Sequence, residues 1–279
     1  MYNCLVNYSL IKGDMDRLRI KIINPDYGMT TEQIQERINI LNEVVGETVE
    51  LSMDCLRNST VCIDSALDVA LAAAEIIQQA IKAEQDGFDG IILYCMSDPA
   101  IVACRETVRI PVLGGGQAAF LTAASLGYNY SLLTTSSRRI PEKKEFIYTT
   151  GVDPERLCSI RSVDLNLSNI REDMNRTIDC LAREGRRCVE EDGAQVLILG
   201  CLSLLGMADA VSDRIRIPVI DPAKAALLMM ESLIRQGLSH SKKAYQSPPA
   251  GIRAWIAGEV TINEKNYITR KEVTNNEEK

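Results

Sequence analysis

The chain has a single histidine, His240, and a single tryptophan, with three phenylalanines among 279 residues. The scarcity of histidine bears first on chemistry. Most hydrolytic triads and most zinc sites need imidazole, so acid–base work falls to Cys, Asp, Glu, Lys or Tyr. His240 lies in a polar Ser-His-Ser-Lys-Lys context and reads as a solvated helix end. Few aromatic rings leave few platforms for stacked bases. A net charge of −7 and a pI near 5.0 also lack the clustered Lys and Arg of a nucleic-acid surface. No long hydrophobic run is present, since the most apolar helix-like stretch, Ser65 to Ala83, is interrupted by Asp68 and Glu75. The first residues carry Lys12, Asp14 and Asp16 where a signal peptide needs an apolar core. The expectation is a cytoplasmic protein that binds neither nucleic acid nor membrane.

Nine cysteines are present without any C-x-x-C pair. An odd count at irregular spacing, in a reducing compartment, reads as free thiols rather than a disulfide framework. Hydrophobic residues at 46% and charged residues at 25% are those of an ordinary globular chain. The length suits one large domain or two ordinary ones.

Short apolar runs alternate with helical stretches, which is the pattern of an α/β parallel sheet. Strands are expected at 19–23, 48–53, 90–94, 110–113, 131–134, 157–160, 196–199 and 217–220. Helices are expected at 31–45, 65–85, 117–126, 141–150, 170–191 and 224–236, with Thr30 or Thr31 capping the first.

An internal repeat organises these elements. Asp86-Gly87 precedes the apolar run Gly90-Ile91-Ile92-Leu93-Tyr94-Cys95, and Asp192-Gly193 precedes Val196-Leu197-Ile198-Leu199-Gly200-Cys201. Downstream, Arg109-Ile110-Pro111-Val112 answers Arg216-Ile217-Pro218-Val219, and Ala118-Ala119 answers Ala225-Ala226. The expected fold class is α/β: two similar lobes, each a mainly parallel sheet flanked by helices, related by a pseudo-two-fold. Residues 1–117 with 222–279 form one lobe and 118–221 the other. In open parallel sheets the ligand crevice lies beyond the carboxyl ends of the strands, and both Cys95 and Cys201 sit at such ends. Residues 247–279 have no counterpart in the repeat; Pro248-Pro249 at the start and Asn-Asn-Glu-Glu-Lys at the finish read as an appended, partly mobile segment.

Met96-Ser97-Asp98-Pro99 is expected to open a helix with Pro in its first turn, which would favour the Cys95 thiolate through unpaired N–H groups and the helix dipole. Cys201, before Leu202-Ser203, has the same setting. The plainer reading makes each a small hydrophobe ending a buried strand, but two at matching repeat positions argue for chemistry. Inverting a carbon stereocentre needs a base on one face and an acid on the other, and a tuned thiol pair suits both roles. No cofactor is needed if the substrate delocalises the carbanion.

These residues resemble the aspartate/glutamate/hydantoin racemase superfamily over roughly residues 19 to 238, and most of all its hydantoin and allantoin racemases. Ile23-Asn24-Pro25 stands where that group has Ile-Asn-Pro-Asn-Thr, and Cys95-Met96-Ser97-Asp98-Pro99 where it has Cys-Phe-Gly-Asp-Pro. Leu199-Gly200-Cys201, Gly206-Met207-Ala208, Leu133-Thr134-Thr135 and Val219-Ile220-Asp221-Pro222 also match. The resemblance implies that Cys95 and Cys201 are the acid–base pair and that Asn24, Thr134 and Thr135 help hold the ligand. Ser97, Gly116 and Ser136 are taken as further substrate-binding candidates. Two departures stand out: Asp26 replaces an amide and puts negative charge near the ligand, and Gln117 stands where Glu is frequent. The Cys-Asn-Thr and Cys-Thr motifs of amino-acid racemases are missing beside the thiols, which favours a ring amide over a free amino acid. The implied function is a cofactor-independent racemase acting on a 5-substituted hydantoin or related cyclic ureide. The chain is expected to bind a small-molecule substrate, without a metal, as a homo-oligomer. An amino-acid racemase, a decarboxylase or cis–trans isomerase of the same fold, or a two-lobed solute-binding protein are the alternatives.

Other motifs are weaker. Gly114-Gly115-Gly116-Gln117-Ala118-Ala119 fits G-x-G-x-x-A, but its repeat partner has no glycine and no acid follows about 20 residues on. Its glycines read as a close approach to a small ligand or a tight bend. Thr134-Thr135-Ser136-Ser137 offers hydroxyls and N–H groups at a strand-to-helix turn, and equally a helix cap. Arg138-Arg139 reads more readily as a solvated pair than as a carboxylate clamp. Cys104, Cys180 and Cys188 read as core.

Overall fold

The first apolar run forms strand β1, Leu18–Tyr27, whose Ile20, Ile22 and Ile23 are fully buried. Residues pointing to both faces are buried, as a central parallel strand requires. The computed structural model describes residues 17–165, 170–255, 258–262 and 268–272. Strands β2 (Val49–Leu56), β3 (Gly90–Leu93) and β4 (Val112–Gly114) join β1 in a parallel sheet of order β2-β1-β3-β4. A second parallel sheet holds β5 (Tyr130–Thr134), β6 (Leu157–Ser162), β7 (Val196–Leu199) and β8 (Val219–Ile220) in the order β6-β5-β7-β8. Strand for strand the two orders are the same, so the sequence repeat is a structural one.

Eight helices among the described residues cover these sheets. Helix α1, Thr31–Val45, begins at a capping box: Thr30 accepts from the Gln33 N–H, and the Gln33 side chain accepts from the Thr30 N–H. Helices α2 (Ala66–Gln85) and α3 (Ile101–Thr107) pack on the outer side of the first sheet, where Ile76, Ala80 and Cys104 meet Ile91 and Val112. Helices α6 (Met174–Glu190) and α7 (Ala208–Ile215) do the same for the second, where Leu181, Cys188 and Val211 meet Leu197. Between the sheets, α4 (Gly115–Leu126) lies against α8 (Pro222–Arg235), and α1 also touches α8. Ala118, Ala119 and Ala123 on α4, with Ala223 and Ala226 on α8, belong to one central core that includes residues of both sheets. Small side chains let these backbones approach. Helix α4 also reaches β7, and α8 reaches β3, so each closing helix packs across to the other sheet. Fully burying Leu227 and Met230 there contributes roughly 1.5–3 kcal/mol each.

Several elements differ from the sequence reading. After Cys95 the chain turns through Asp98 and Ala100, both at positive φ (43° and 59°), and α3 starts only at Ile101. Pro99 is therefore outside its first turn. The stretch 141–150 divides into α5 (Ile140–Phe146) and a separate 3-10 turn, Ile147–Thr149. The helix expected from residue 170 begins at Met174, behind the Asp173 cap. Residues 247–279, read as an appended segment, include three antiparallel strands that carried no strand expectation: β9 (Gly251–Trp255), β10 (Gly258–Ile262) and β11 (Ile268–Glu272), with β11 beside α2. His240 is no solvated helix end. It is half-buried, with Nε2 2.9 Å from the Val108 carbonyl and its ring edge-on to Tyr245. The chain after α8 folds back over the end of α3, where Lys242 donates to the carbonyls of Arg105 and Glu106. Lys12, Asp14 and Asp16, and the tail 275–279, lie outside the described residues.

Candidate active site

Every segment that builds the candidate site follows a parallel strand at its carboxyl end. Asp26 ends β1, Ile63 and Asp64 follow β2, and Tyr94 to Ser97 follow β3. Thr134 and Thr135 end β5, and Gly200 to Ser203 follow β7. With Arg139 and Lys143 these residues line one pocket of about 540 Å³ including its open mouth. Cys95 and Cys201, from different sheets, both line it.

Each thiol has a matching local environment. The backbone N–H of Ser97 favours a thiolate at Cys95, and the N–H and hydroxyl of Ser203 favour one at Cys201. These replace the helix dipole expected from sequence, because α3 begins six residues beyond Cys95. Burial outweighs the N–H groups. It pushes Cys95 up to about 12, with the Lys143 charge as the largest opposing influence, and it raises Cys201 as well. Both resting thiols are thus protonated at neutral pH, contrary to the expected thiolate.

The two cysteine loops are fixed to one another and to the closing helices. The buried Tyr94 hydroxyl donates to the Leu202 carbonyl at 2.9 Å, joining the loop after β3 to the loop after β7. Asp98, buried to 4% exposure, accepts from the N–H groups of Gly116 and Gln117, each at 2.8 Å, and so caps α4. Burial raises its carboxyl to about 6. In the second lobe, Asp221 caps α8 through the N–H groups of Ala223 and Lys224 and accepts from Gly206 N–H in the loop after Cys201. The repeat therefore keeps the carboxylate but moves its origin. In one lobe it comes from the cysteine loop, and in the other from the end of the last strand.

Of the residues named from sequence, Cys95, Cys201, Ser97, Thr134 and Thr135 line the pocket. Asn24, Gly116 and Ser136 do not. Asn24 is buried, with Nδ2 2.7 Å from Met29 Sδ and 3.4 Å from Cys55 Sγ, and its Oδ1 accepts from Asp26 N–H. It shapes the turn that presents Asp26. Gly116 gives its N–H to Asp98, and a Cβ there would stand 2.6 Å from the Met96 carbonyl oxygen and 2.7 Å from the Phe146 ring. Close packing accounts for a glycine at that position. Ser136 precedes the 3-10 turn Ser137–Arg139 and accepts from Arg139 N–H.

Arg139 reads from sequence as solvated, yet it is 7% exposed, and Lys143, without any signal in the sequence reading, is 4% exposed. Their i,i+4 spacing across the start of α5, just after the Thr-Thr run, is the pattern that pairs them. Ser203 was legible as the second member of a repeated Cys-x-Ser. Asp26, the departure from the amide, does face the pocket; burial raises its carboxyl, against a hydrogen bond from Ile63 N–H and the lowering influence of the Cys62 thiol. Among the described residues no group of three or more His, Cys, Asp or Glu is placed to hold a metal ion.

Two like parallel sheets, with one pocket at the carboxyl ends of both, define a two-lobed α/β enzyme of the racemase fold. The chain belongs to the Asp/Glu/hydantoin racemase family, whose model matches residues 20–230, and it is a racemase, an isomerase by class. It is 30% identical to a hydantoin racemase from Paenarthrobacter aurescens over 234 residues, 83% of this chain and 98% of that protein. Its structure resembles the allantoin racemase of Klebsiella pneumoniae, with TM-score 0.79 and 26% identity over 86% of this chain and 97% of that one. The allantoin racemase of Pseudomonas fluorescens is similar at TM-score 0.78 and 26% identity, over 85% of this chain and 100% of that one. Among the described residues no helix is long and apolar enough to cross a membrane.

Proposed function

We propose that the chain inverts the acidic ring carbon of a 5-substituted hydantoin or related cyclic ureide, with Cys95 and Cys201 as its acid–base pair. One observation carries the reading: two thiols at corresponding repeat positions line one pocket, each beside the N–H of a serine two residues on. One sulfur, as thiolate, takes the proton from the ring carbon. The electron pair left on carbon delocalises into the adjacent ring carbonyl, and the opposite thiol delivers its proton to the other face. The thiolate and thiol have then exchanged, which readies the site for the opposite enantiomer. Because the ring carbonyls hold the developing charge, the reaction needs no cofactor. Thr134 and Thr135, whose backbone carbonyls accept from Val163 and Leu165 N–H, have hydroxyls to offer a carbonyl of the ring. Lys143 favours a thiolate at Cys95, and the Ser203 N–H favours one at Cys201.

Proton exchange in D₂O tests the scheme. Cys95→Ser and Cys201→Ser should each abolish racemisation, while each retains deuterium exchange of one enantiomer, the opposite one in the other variant. A single variant that racemises at close to the parental rate would refute the pair.

A further inference from the structure

The pocket has a cationic side with more charge and more donors than the two-thiol chemistry calls on. Arg139 and Lys143 rise from the second lobe and meet Ser97 of the first: its hydroxyl oxygen accepts from Arg139 Nη2 at 3.0 Å and from Lys143 Nζ at 2.8 Å. Both cations line the pocket and both are more than nine-tenths buried. Buried charges require partners. The one carboxylate within ion-pair distance of either is Glu142, among the described residues, and the same oxygen, Oε2, faces both at 3.2 and 3.3 Å. That oxygen makes no well-directed hydrogen bond. A guanidinium carries five N–H donors and an ammonium three, more than one hydroxyl and one carboxylate oxygen absorb. The pocket also has an acidic side, Asp26 and Asp64, on the loops that end β1 and follow β2, and no ion pair joins either acid to these cations.

We propose that Arg139 and Lys143 form a carboxylate-binding subsite, so that the preferred substrate is a cyclic ureide bearing an acidic arm, of the class of the 5-carboxyalkyl hydantoins. The inference rests on the ring-ureide reading above and narrows it. A carboxylate beside Ser97 supplies the acceptors that the two cations lack and neutralises their excess charge in a partly enclosed site, where charge-assisted bonds are strongest. The ring then lies toward Cys95 and Cys201, and its N–H donors meet the acidic side. A neutral alkyl arm would leave the two desolvated cations sharing the single carboxylate of Glu142.

The test compares the single L-enantiomer of hydantoin-5-acetic acid with that of its primary amide, an uncharged group of similar shape, each followed by loss of optical rotation. With the full chain, kcat/KM should favour the acid by about 10- to 100-fold, the effect of one charge-assisted hydrogen bond. Lys143→Met and Arg139→Gln, measured separately, should each bring that ratio toward one. The ratio is the readout because Lys143 also influences the Cys95 thiol, and that influence affects both substrates alike. Equal handling of acid and amide, or a ratio unchanged in both variants, overturns the inference. A preference for free L-aspartate over the ring acid overturns the substrate class. Calorimetric titration of the Cys95→Ser/Cys201→Ser protein separates this inference from the racemase reading, since binding needs no thiol. Tighter binding of acid than amide, lost in Lys143→Met, sustains the subsite even where no ureide is racemised; equal binding of the two removes it.

Discussion

Replacing Gly114 by Ala adds one methyl group, and the structure specifies where that methyl goes. Gly114 lies at φ −105° and ψ 150°, a conformation any residue adopts. The obstacle is purely steric: a Cβ there would overlap the Asp98 carboxyl group. Asp98 must then leave the α4 N-terminus, stranding the Gly116 and Gln117 N–H groups and carrying the Cys95 loop with it. Losing a buried cap made by two charge-assisted hydrogen bonds costs about 2–4 kcal/mol. Asp98→Gly removes the same bonds at a similar cost; glycine is the right replacement because φ at residue 98 is 43°. In the double variant the methyl enters the space the carboxylate vacated, so the second change adds little. A double-mutant cycle from urea unfolding should therefore show a coupling of about 2–3 kcal/mol. Independent, additive losses would refute the claim that the carboxylate is what excludes a side chain at 114. The repeat carries the same logic, since the position matching Gly114 is Asp221 and the position matching Asp98 is the buried Leu204.

Because burial raises both pocket thiols, kcat/KM should climb with pH across the range 6–8.5 as the reactive thiolate is formed; a pH–rate profile that is flat there would contradict the protonated resting state. The same shifts act on stability with a definite sign: a raised thiol pKa stabilises the fold below the free-thiol range, and that contribution is lost as pH rises from about 8.5 towards about 12, which urea midpoints across that range would register. Arg171 holds Glu36 at 2.6 Å and donates to the carbonyls of Ser203 and Leu205 in the Cys201 loop, so Arg171→Ala should cost about 1–3 kcal/mol in urea unfolding and slow deuterium exchange at the Cys201 face more than at the Cys95 face. Activity should survive dialysis and EDTA without added pyridoxal phosphate; loss on chelation with recovery on a divalent metal would contradict the cofactor-independent scheme. In a crystal with a bound substrate analogue, the two sulfurs should lie about 6–8 Å apart, leaving about 3–3.5 Å from each to the reacting carbon; a disulfide distance would leave no room for it.

What the sequence determined by itself was local chemistry and its repetition. Apolar runs ended by Cys, followed by Ile-Pro-Val runs and alanine-rich helices, specify two parallel sheets of the same order, because burial on both faces and turn residues act within a few positions of one another. A cap at Thr30 or Thr31, which the structure places at Thr30, and the positions of Cys95 and Cys201 at strand ends were legible for that reason. Tertiary structure decided everything that depends on approach. Whether Arg139 is solvated or buried turns on where α5 crosses to reach Ser97, a contact 42 residues away in sequence. Whether the thiols ionise turns on how deeply the lobes enclose them, and the helix dipole anticipated from Pro99 gave way to a loop held in left-handed conformations at Asp98 and Ala100. Asn24 and Gly116 carry family-like patterns, but packing turned the first toward Met29 and Cys55 and the second against Met96 and Phe146. Sequence spacing records which residues follow one another; the direction a side chain faces across a cleft is set by the packing of the two sheets on their shared helices.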